Sequence, residues 1–460
     1  MNRKQKVVIN GSSSNYFEIK SGVPQGSVLG PLLFLIYIND LEKQIRSKIK
    51  FFADDTMIFS VVRDPLSTAN ELNEDLKSIN IWAHQWKLSF NPDKNKQAVE
   101  VLFSHKIKKP IHPPIFFNDA EVIRVNEHKH LGLILDSKLS FSQHVNEKIK
   151  IARKSLGVIK YLSSYLPKKT LELIYKLYIR SHFDYCDVIY HIPNIHDMYT
   201  SSNSLHSLME SIERIQYHAA LAVTGTWQGS SRTKLYEELG WESLTDRRWL
   251  RRLTQFYKIH NNMTPQYLKN NIPPTREPRR GCNNKDVYHN IFCNTTRYMN
   301  SFFPNAVKLW NNIGENFHSC NSIEIFKKNI TNLIRPPSKS IYSIHDPKGL
   351  KCVFQLRVGL SPLRSHKKHY NFVDTPTDWC DCNNAPEDTR HFLFHCKFYE
   401  AQRSDLLNAV TPLLLEFPNV YVLDNTDLLL YGHHSLKPNI NKQILLYTIR
   451  FIKETGRFNT

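Results

Sequence analysis

The sequence predicts an α+β protein with a mixed first block, an α-rich middle and a small α+β end. Three observations carry this prediction. Up to about residue 145, short β-prone runs are interspersed with helical stretches. From about 143 to 260, apolar residues recur at helical spacing. Near the end, three of the eight cysteines sit close together with histidines. The elements do not alternate in the way a doubly wound parallel sheet requires.

In order, residues 6–20 read as a strand pair with NGSSSN as its turn. Residues 27–42 read as a buried helix that starts at Pro31. FFADDTMIFSVV, residues 51–62, reads as a hairpin around Asp54 and Asp55. Leu72, Leu76, Ile79, Ala83 and Trp86 then mark one helix face. Residues 97–104 and 114–135 read as strands. Val145, Ile149, Ala152, Leu156 and Ile159 share a face of the next helix, and Pro167 precedes another over 169–182. Pro-rich breaks at 272–286 and 335–340 read as linkers. The expected blocks are 1–145, 146–200, 201–340 and 341–460.

Composition limits the function classes. With 41% hydrophobic residues, the chain has enough apolar material for packed cores, which excludes a wholly disordered chain. The formal net charge of +19 points to a polyanionic partner. The longest apolar run, residues 28–38, falls short of the ~20 residues a spanning helix needs, so no membrane partner is expected. The polar start MNRKQKVVING is no secretory signal. Few and mostly scattered cysteines fit a reducing compartment, so an intracellular protein is expected.

Asp54 and Asp55 place two neighbouring negative charges between apolar flanks, and such charges call for compensation by a cation. A hairpin tip of this kind suits a hard Mg²⁺ ion whose shell phosphates complete, although a plain solvated turn is the simpler reading of Asp-Asp alone. Just upstream, Gly22, Gly26 and Gly30 surround Pro24 and lead into a helix, a device for meeting phosphate or nucleotide, although an ordinary loop and N-cap is the simpler reading of this stretch alone.

Together these stretches resemble the reverse transcriptases of non-LTR, LINE-type, jockey-like retrotransposons. SGVPQGSVLGPLLF is similar to that family's motif B, and FFADDT to motif C. LKSINIWAHQWKLSFNPDKNKQAV is similar to motif D, and HKHLGLILDSKLSFSQHV to motif E, the primer grip. Residues 152–190 resemble the start of the thumb, and residues 211–332 the region after it. The resemblance implies a partial palm (an antiparallel sheet with helices) over 1–145, a helical thumb over 146–200 and an α-rich connector over 201–340.

The resemblance also implies roles. Asp54 would bind catalytic Mg²⁺, with Asp55 beside it. Gln25 and Gly26 would lie against the incoming dNTP and the templating base, with Phe52 at the aromatic position of motif C. Lys94 would sit near the triphosphate, with Lys96 as a rival. His130, Leu131 and Gly132 match the primer-grip core, with His where Tyr or Phe is usual. The implied partners are an RNA template, a DNA primer or target, and dNTP.

The family's motif A supplies a third carboxylate upstream of motif B. Glu18 is the sole acid before Ser21, and no Phe-x-Asp box surrounds it. The expectation is an N-terminally truncated element product, without fingers or motif A, that shows no polymerase activity alone. The alternatives are a non-catalytic nucleic-acid-binding remnant or a domesticated transposon protein.

Cys380, Cys382, His391 and Cys396 offer three thiolates and an imidazole, a set that tetrahedral Zn²⁺ accepts, with His395 as an alternative nitrogen. The resemblance strengthens the reading, because these elements often end in a zinc-knuckle-like unit followed by an Arg-containing helix. The basic stretch 356–370 before the cluster suits RNA or DNA backbone contacts. Lys148, Arg153, Lys154 and Lys160 lie on the first thumb helix and would track a template–primer backbone. ESLTDRRWLRRL, residues 242–253, reads as mostly structural, with Glu242 and Asp246 paired to its arginines.

Overall fold

The computed structural model describes residues 3–458 except 20–21, 24–25, 89, 91–97, 192–203, 277–286, 335–343, 345, 418–419 and 434. The chain forms two compact units, residues 1–140 and 141–460.

In the first unit, β1 (Arg3–Gln5) pairs antiparallel with β4 (Phe17–Ile19), enclosing the small hairpin of β2 (Val8–Ile9) and β3 (Ser12–Ser13). Asn10 and Gly11 make its turn, both at positive φ, as an Asn-Gly hairpin turn requires. Helix α1 (Gly30–Ile38) follows, then the antiparallel hairpin of β5 (Lys48–Phe52) and β6 (Asp55–Phe59). Next comes the long helix α2 (Pro65–Gln85). β7 (Val99–Glu100) pairs in parallel with β10 (Ile123–Arg124), and β8 (Phe116–Phe117) pairs antiparallel with β9 (Ala120–Glu121). The unit ends in the hairpin of β11 (Glu127–His130) and β12 (Leu133–Asp136). The expected single antiparallel sheet is therefore divided, among the described residues, into two-stranded pairs, one of them parallel.

Helix α2 organises this unit. Its N-cap Asp64 accepts a hydrogen bond from the Ser67 amide at 2.8 Å, and Pro65 occupies the first turn. Ile79, Trp82 and Ala83 form a core with Ile38, Leu41 and Ile49. Leu72 and Leu76 are half-buried, and Trp86 has left the face to cap the helix. Asp75 is buried, and its two carboxylate oxygens accept the Arg46 and Ser47 amides at 2.9 and 2.8 Å. The Trp82 indole donates to Asp40 at 3.1 Å.

The expected burial of α1 is overturned. Leu32, Leu33, Leu35 and Ile36 are exposed, and only Ile38 is buried. The helix is apolar on every side, and the small core by α2 covers only the side that carries Ile38, Phe34 and Tyr37.

The second unit is helical. It opens with α3 (Ser142–Leu162), α4 (Lys168–Tyr175), a π-helical turn at Lys176–Arg180, α5 (Ser181–Asp184) and α6 (Asp187–Tyr190). Then come α7 (Ser204–Thr224), α8 (Arg232–Leu239), α9 (Leu244–His260), α10 (Gln266–Lys269), α11 (Thr296–Met299), α12 (Phe302–Asn312), α13 (Glu315–His318) and α14 (Ile323–Ile334). α15 (Pro347–Val358), α16 (Arg364–His369), α17 (Glu400–Val410), α18 (Thr426–Tyr431) and α19 (Pro438–Glu454) complete it. On α3, Val145, Ile149, Ala152, Leu156 and Ile159 are all buried, as their spacing predicts.

The 242–253 segment is structural; the expected Glu242 pairing forms, with Arg247, while the expected Asp246 pairing does not. Arg247 grips Asp184 with two bonds of 2.8 and 2.7 Å and also pairs with Glu242. Arg251 meets Asp187 at 2.6 Å. Asp246 instead takes part in the helix cap, accepting from the Ser243 hydroxyl. Arg252 is buried and donates to four backbone carbonyls and to Asn305. Residues after 341 are not a detached piece. The buried Arg357 of α15 forms an ion pair with Glu238 of α8 and donates to the Leu430 carbonyl.

Candidate nucleic-acid and metal sites

The register Phe52↔Asp55 leaves Ala53 and Asp54 as a two-residue turn. Ala53 takes φ +52°, a left-handed conformation that costs an alanine of order 1 kcal/mol. This strained turn places both carboxylates, exposed, at the tip. Ile49 and Ile58 face each other across the hairpin and dock it on the α2 core, and Phe52 stays exposed.

The second hairpin lies within electrostatic reach of the first. Burial and the neighbouring His130 hold the His128 ring below its ordinary pKa, against the opposite pull of the Asp55 carboxylate. Sequence reading missed His128; its place two residues before His130 on a strand was the available signal. The register His130↔Leu133 makes Leu131 and Gly132 the turn, both at positive φ. Leu133 and Ile134 anchor this hairpin in the interior. Gly26 also has positive φ, and nothing lies within 4 Å of where its Cβ would be. Its backbone conformation, and not close packing, therefore calls for glycine. Gln25 and Lys94 lie outside the described residues.

Among the described residues, no group of three or more His, Cys, Asp or Glu side chains that includes Asp54 or Asp55 is close enough to hold a metal. The grouping that does exist lies in the second unit. The ligand atoms of Cys380, Cys382, His391 and Cys396 lie within 4.8 Å of one another, and all four residues are buried.

Local structure explains the convergence. Asn383 at φ +58° turns the chain between the first two cysteines and Ala385, whose carbonyl accepts the Cys380 amide at 3.0 Å. His391 opens a π-helical turn, His391–His395, and the Cys396 amide closes it on the His391 carbonyl at 2.8 Å. Such turns re-aim side chains at functional positions. The Arg403 guanidinium donates to the carbonyls of Leu393 and Cys396. The expected arginine of the following helix thus braces the site from inside.

The Cys380 and Cys396 sulfurs are 3.7 Å apart, and the Cys382 sulfur is 3.2 Å from His391 Nε2. A tetrahedral ion with bonds of about 2.3 Å to sulfur spaces its thiolates by about 3.8 Å. The donor set therefore fits a metal. Burial pushes the Cys380 thiol up to about 12, so without a cation Cys380 keeps its proton. His395 is not part of the set; it faces Asp424 at 3.0 Å.

Arg153, Lys154 and Lys160 are exposed on α3, and Lys148 is half-buried and lies over the Tyr185 ring. The basic stretch 356–370 differs from expectation. Arg357 is buried, Arg364 pairs with Asp381 and Lys367 with Asp374. Its cations are largely neutralised within the fold.

Residues 2–135, nearly all of the first unit, match the family described as reverse transcriptase (RNA-dependent DNA polymerase). The chain is a relative of the jockey-type reverse transcriptases. It is 27% identical over 288 residues to the probable RNA-directed DNA polymerase from transposon X-element of Drosophila melanogaster, covering 60% of this chain and 30% of that protein. It is 29% identical over 184 residues to the RNA-directed DNA polymerase from mobile element jockey of Drosophila funebris, covering 38% and 20%. The Drosophila melanogaster jockey polymerase is 30% identical over 164 residues, covering 32% and 17%. The chain thus spans less than a third of the length of these curated relatives. No solved structure matches it. The reverse-transcriptase match includes the Asp54–Asp55 turn and the His130–Gly132 turn. Among the described residues, no helix is long and apolar enough to cross a membrane.

Proposed function

We propose that this chain acts on nucleic acid as part of an RNA-directed DNA polymerase of a non-LTR retrotransposon. The observation that carries the reading is the reverse-transcriptase match over residues 2–135, with Asp54 and Asp55 on a strained hairpin tip inside it. The relatives' printed names, all RNA-directed DNA polymerases, support it.

In this reading Asp54 and Asp55 would hold Mg²⁺, which would supply charge neutralisation for transfer of a dNTP α-phosphate to a primer 3′-hydroxyl, with release of pyrophosphate and the hydroxyl proton. Gly26 and Gln25 meet the nucleotide and template, Lys94 the triphosphate, and the Leu131–Gly132 turn the primer end. Phe52 borders the same site. Lys148, Arg153, Lys154 and Lys160 contact the backbone of an RNA template and DNA primer. Residues 1–145 correspond to palm, 146–200 to thumb and 201–340 to connector.

Among the described residues, Asp54 and Asp55 have no third acid at metal-holding distance, which makes a weak two-metal site. The 460-residue polypeptide is therefore expected to give no Mg²⁺-dependent primer extension on an RNA template. Fusing an upstream segment from a relative, carrying a motif A aspartate, should restore incorporation, and Asp54→Ala should abolish it. Robust incorporation by the unfused chain, lost in Asp54→Ala, would refute the incomplete site. Incorporation by the fusion that survives Asp54→Ala would refute the assignment of Asp54.

The lack of a third acid beside Asp54 and Asp55 among the described residues favours a second reading, a non-catalytic nucleic-acid-binding protein. Salt-dependent RNA affinity that survives Asp54→Ala, with no activity in the fusion, would select it.

For the Cys380, Cys382, His391 and Cys396 set we propose Zn²⁺, on the strength of its soft donors and four-fold spacing. The full chain should carry one Zn²⁺ at this set by elemental analysis. Cys380→Ser should lower the content sharply, and His395→Ala should leave it unchanged.

A further inference from the structure

A cavity of about 480 Å³ opens beside the Cys380 set. That volume lies within the range of small-molecule sites. Its walls come from the start of α16, the 374–376 loop, the chain at Cys380 and the Phe398–Tyr399 turn. Asp381 stands between two of the clustered cysteines, and Phe398 follows Cys396 by two residues. The loops that carry the Cys/His set therefore also shape two of the walls.

The charges of the lining cancel. Arg364 meets Asp381 at 2.5 Å, Lys367 meets Asp374 at 2.9 Å and Arg457 meets Glu387 at 2.7 Å, all on the cavity wall. A wall with as many acids as cations gives a phosphate little attraction. The Arg457–Glu387 pair is spent on the fold: it is bidentate, Arg457 also donates to the Pro362 carbonyl and Glu387 accepts the Arg364 amide. The other two pairs keep hydrogen-bonding capacity. A guanidinium has five N–H groups, and Arg364 uses one of them on Asp381. The Asp381 and Asp374 side chains are 71% and 63% exposed, so their carboxylates have open acceptor positions.

The remaining wall is aromatic. Tyr399 sets its ring edge-on to the buried Phe392, with centroids 5.3 Å apart. Phe398 lines the cavity yet is 55% exposed. An occupant that suits this lining is flat, uncharged and edged with both donors and acceptors. An apolar molecule would leave the open donors and acceptors unmatched, and an anion would meet three carboxylates. A nucleobase has the required face and edge.

We propose that this cavity binds an unpaired nucleobase of single-stranded nucleic acid, with its face on Phe398 and its edge at the Arg364–Asp381 pair. The proposal rests on the nucleic-acid reading above and adds to it a contact with a base where that reading has contacts with the backbone.

The test uses the full chain and two short oligonucleotides of equal length and charge, a mixed-sequence RNA and its abasic counterpart. Fluorescence anisotropy gives the affinity for each across a salt series. Wild type should prefer the base-bearing strand by about tenfold. Phe398→Leu should remove most of that preference and leave the salt slope unchanged, because no phosphate contact is lost. Phe292→Leu, at an 84% exposed aromatic outside the cavity, should change neither. Should Phe398→Leu fail to fold, Asp381→Asn at the exposed acid takes its place and should lower the preference severalfold. A preference that survives the substitution overturns the site. So does an equal loss of affinity for both strands, which would mark a backbone contact. Equal binding of the two strands by wild type overturns the base site and leaves the nucleic-acid reading standing. Binding of neither strand overturns that reading, and this site with it.

Discussion

Single residues decide how firmly each hairpin and helix is held. Asp75 was only a polar position in the α2 pattern, yet it joins the helix to the chain entering the Asp54–Asp55 hairpin. Asp75→Ala leaves two amides without acceptors, at an expected cost of about 2–3 kcal/mol. Urea unfolding followed by Trp82 fluorescence checks this. Lys168 gives a pH dependence with a definite sign. Its folded pKa of about 8 lies below its ordinary 10.5. The buried charge therefore penalises the fold fully below about pH 8, and the penalty fades as pH rises towards 10.5. In phosphate-free buffer, the stability advantage of Lys168→Met should be on the order of 3 kcal/mol near neutral pH. It should shrink between pH 8 and 10. A gap that is constant with pH would show that Lys168 titrates normally.

At the scale of elements, turns carry most of the information. The Leu131–Gly132 turn places a leucine at φ +47°, where asparagine or glycine is more at ease. Leu131→Asn should stabilise the first unit by about 1 kcal/mol, and Gly132→Ala should destabilise it by about as much. The midpoint of urea unfolding reads both. The two π-helical turns, at Lys176–Arg180 and His391–His395, carry no mark in local sequence pattern. They arise where packing or a clustered site draws side chains off helical period. The periodicity of α3 was legible because an apolar stripe buries one face whatever its neighbour. The fate of α1 was not legible, since a helix apolar on all sides gives no hint of which side is covered.

For the whole molecule, the buried Arg357–Glu238 pair joins α15 to α8 across the expected boundary near residue 340. Arg357→Met should leave Glu238 buried without its guanidinium and cost about 3–5 kcal/mol. The loss should appear in one cooperative transition of the second unit, measured by thermal unfolding. A separate low-melting transition confined to residues 341–460 would contradict the coupling. The sequence by itself determined the α+β class, the Asp54–Asp55 turn and the Cys/His ligands, because these rest on local residue types and short spacings. The tertiary structure decided the rest. It turned His395 away to Asp424, brought His128 within reach of Asp55, turned Arg248, Arg252 and Arg357 inward, and brought the charge of Lys351 to bear on a buried Lys168. Each of these depends on charges and donors far apart in sequence. Only packing determines whether such groups find a partner or face one of like sign.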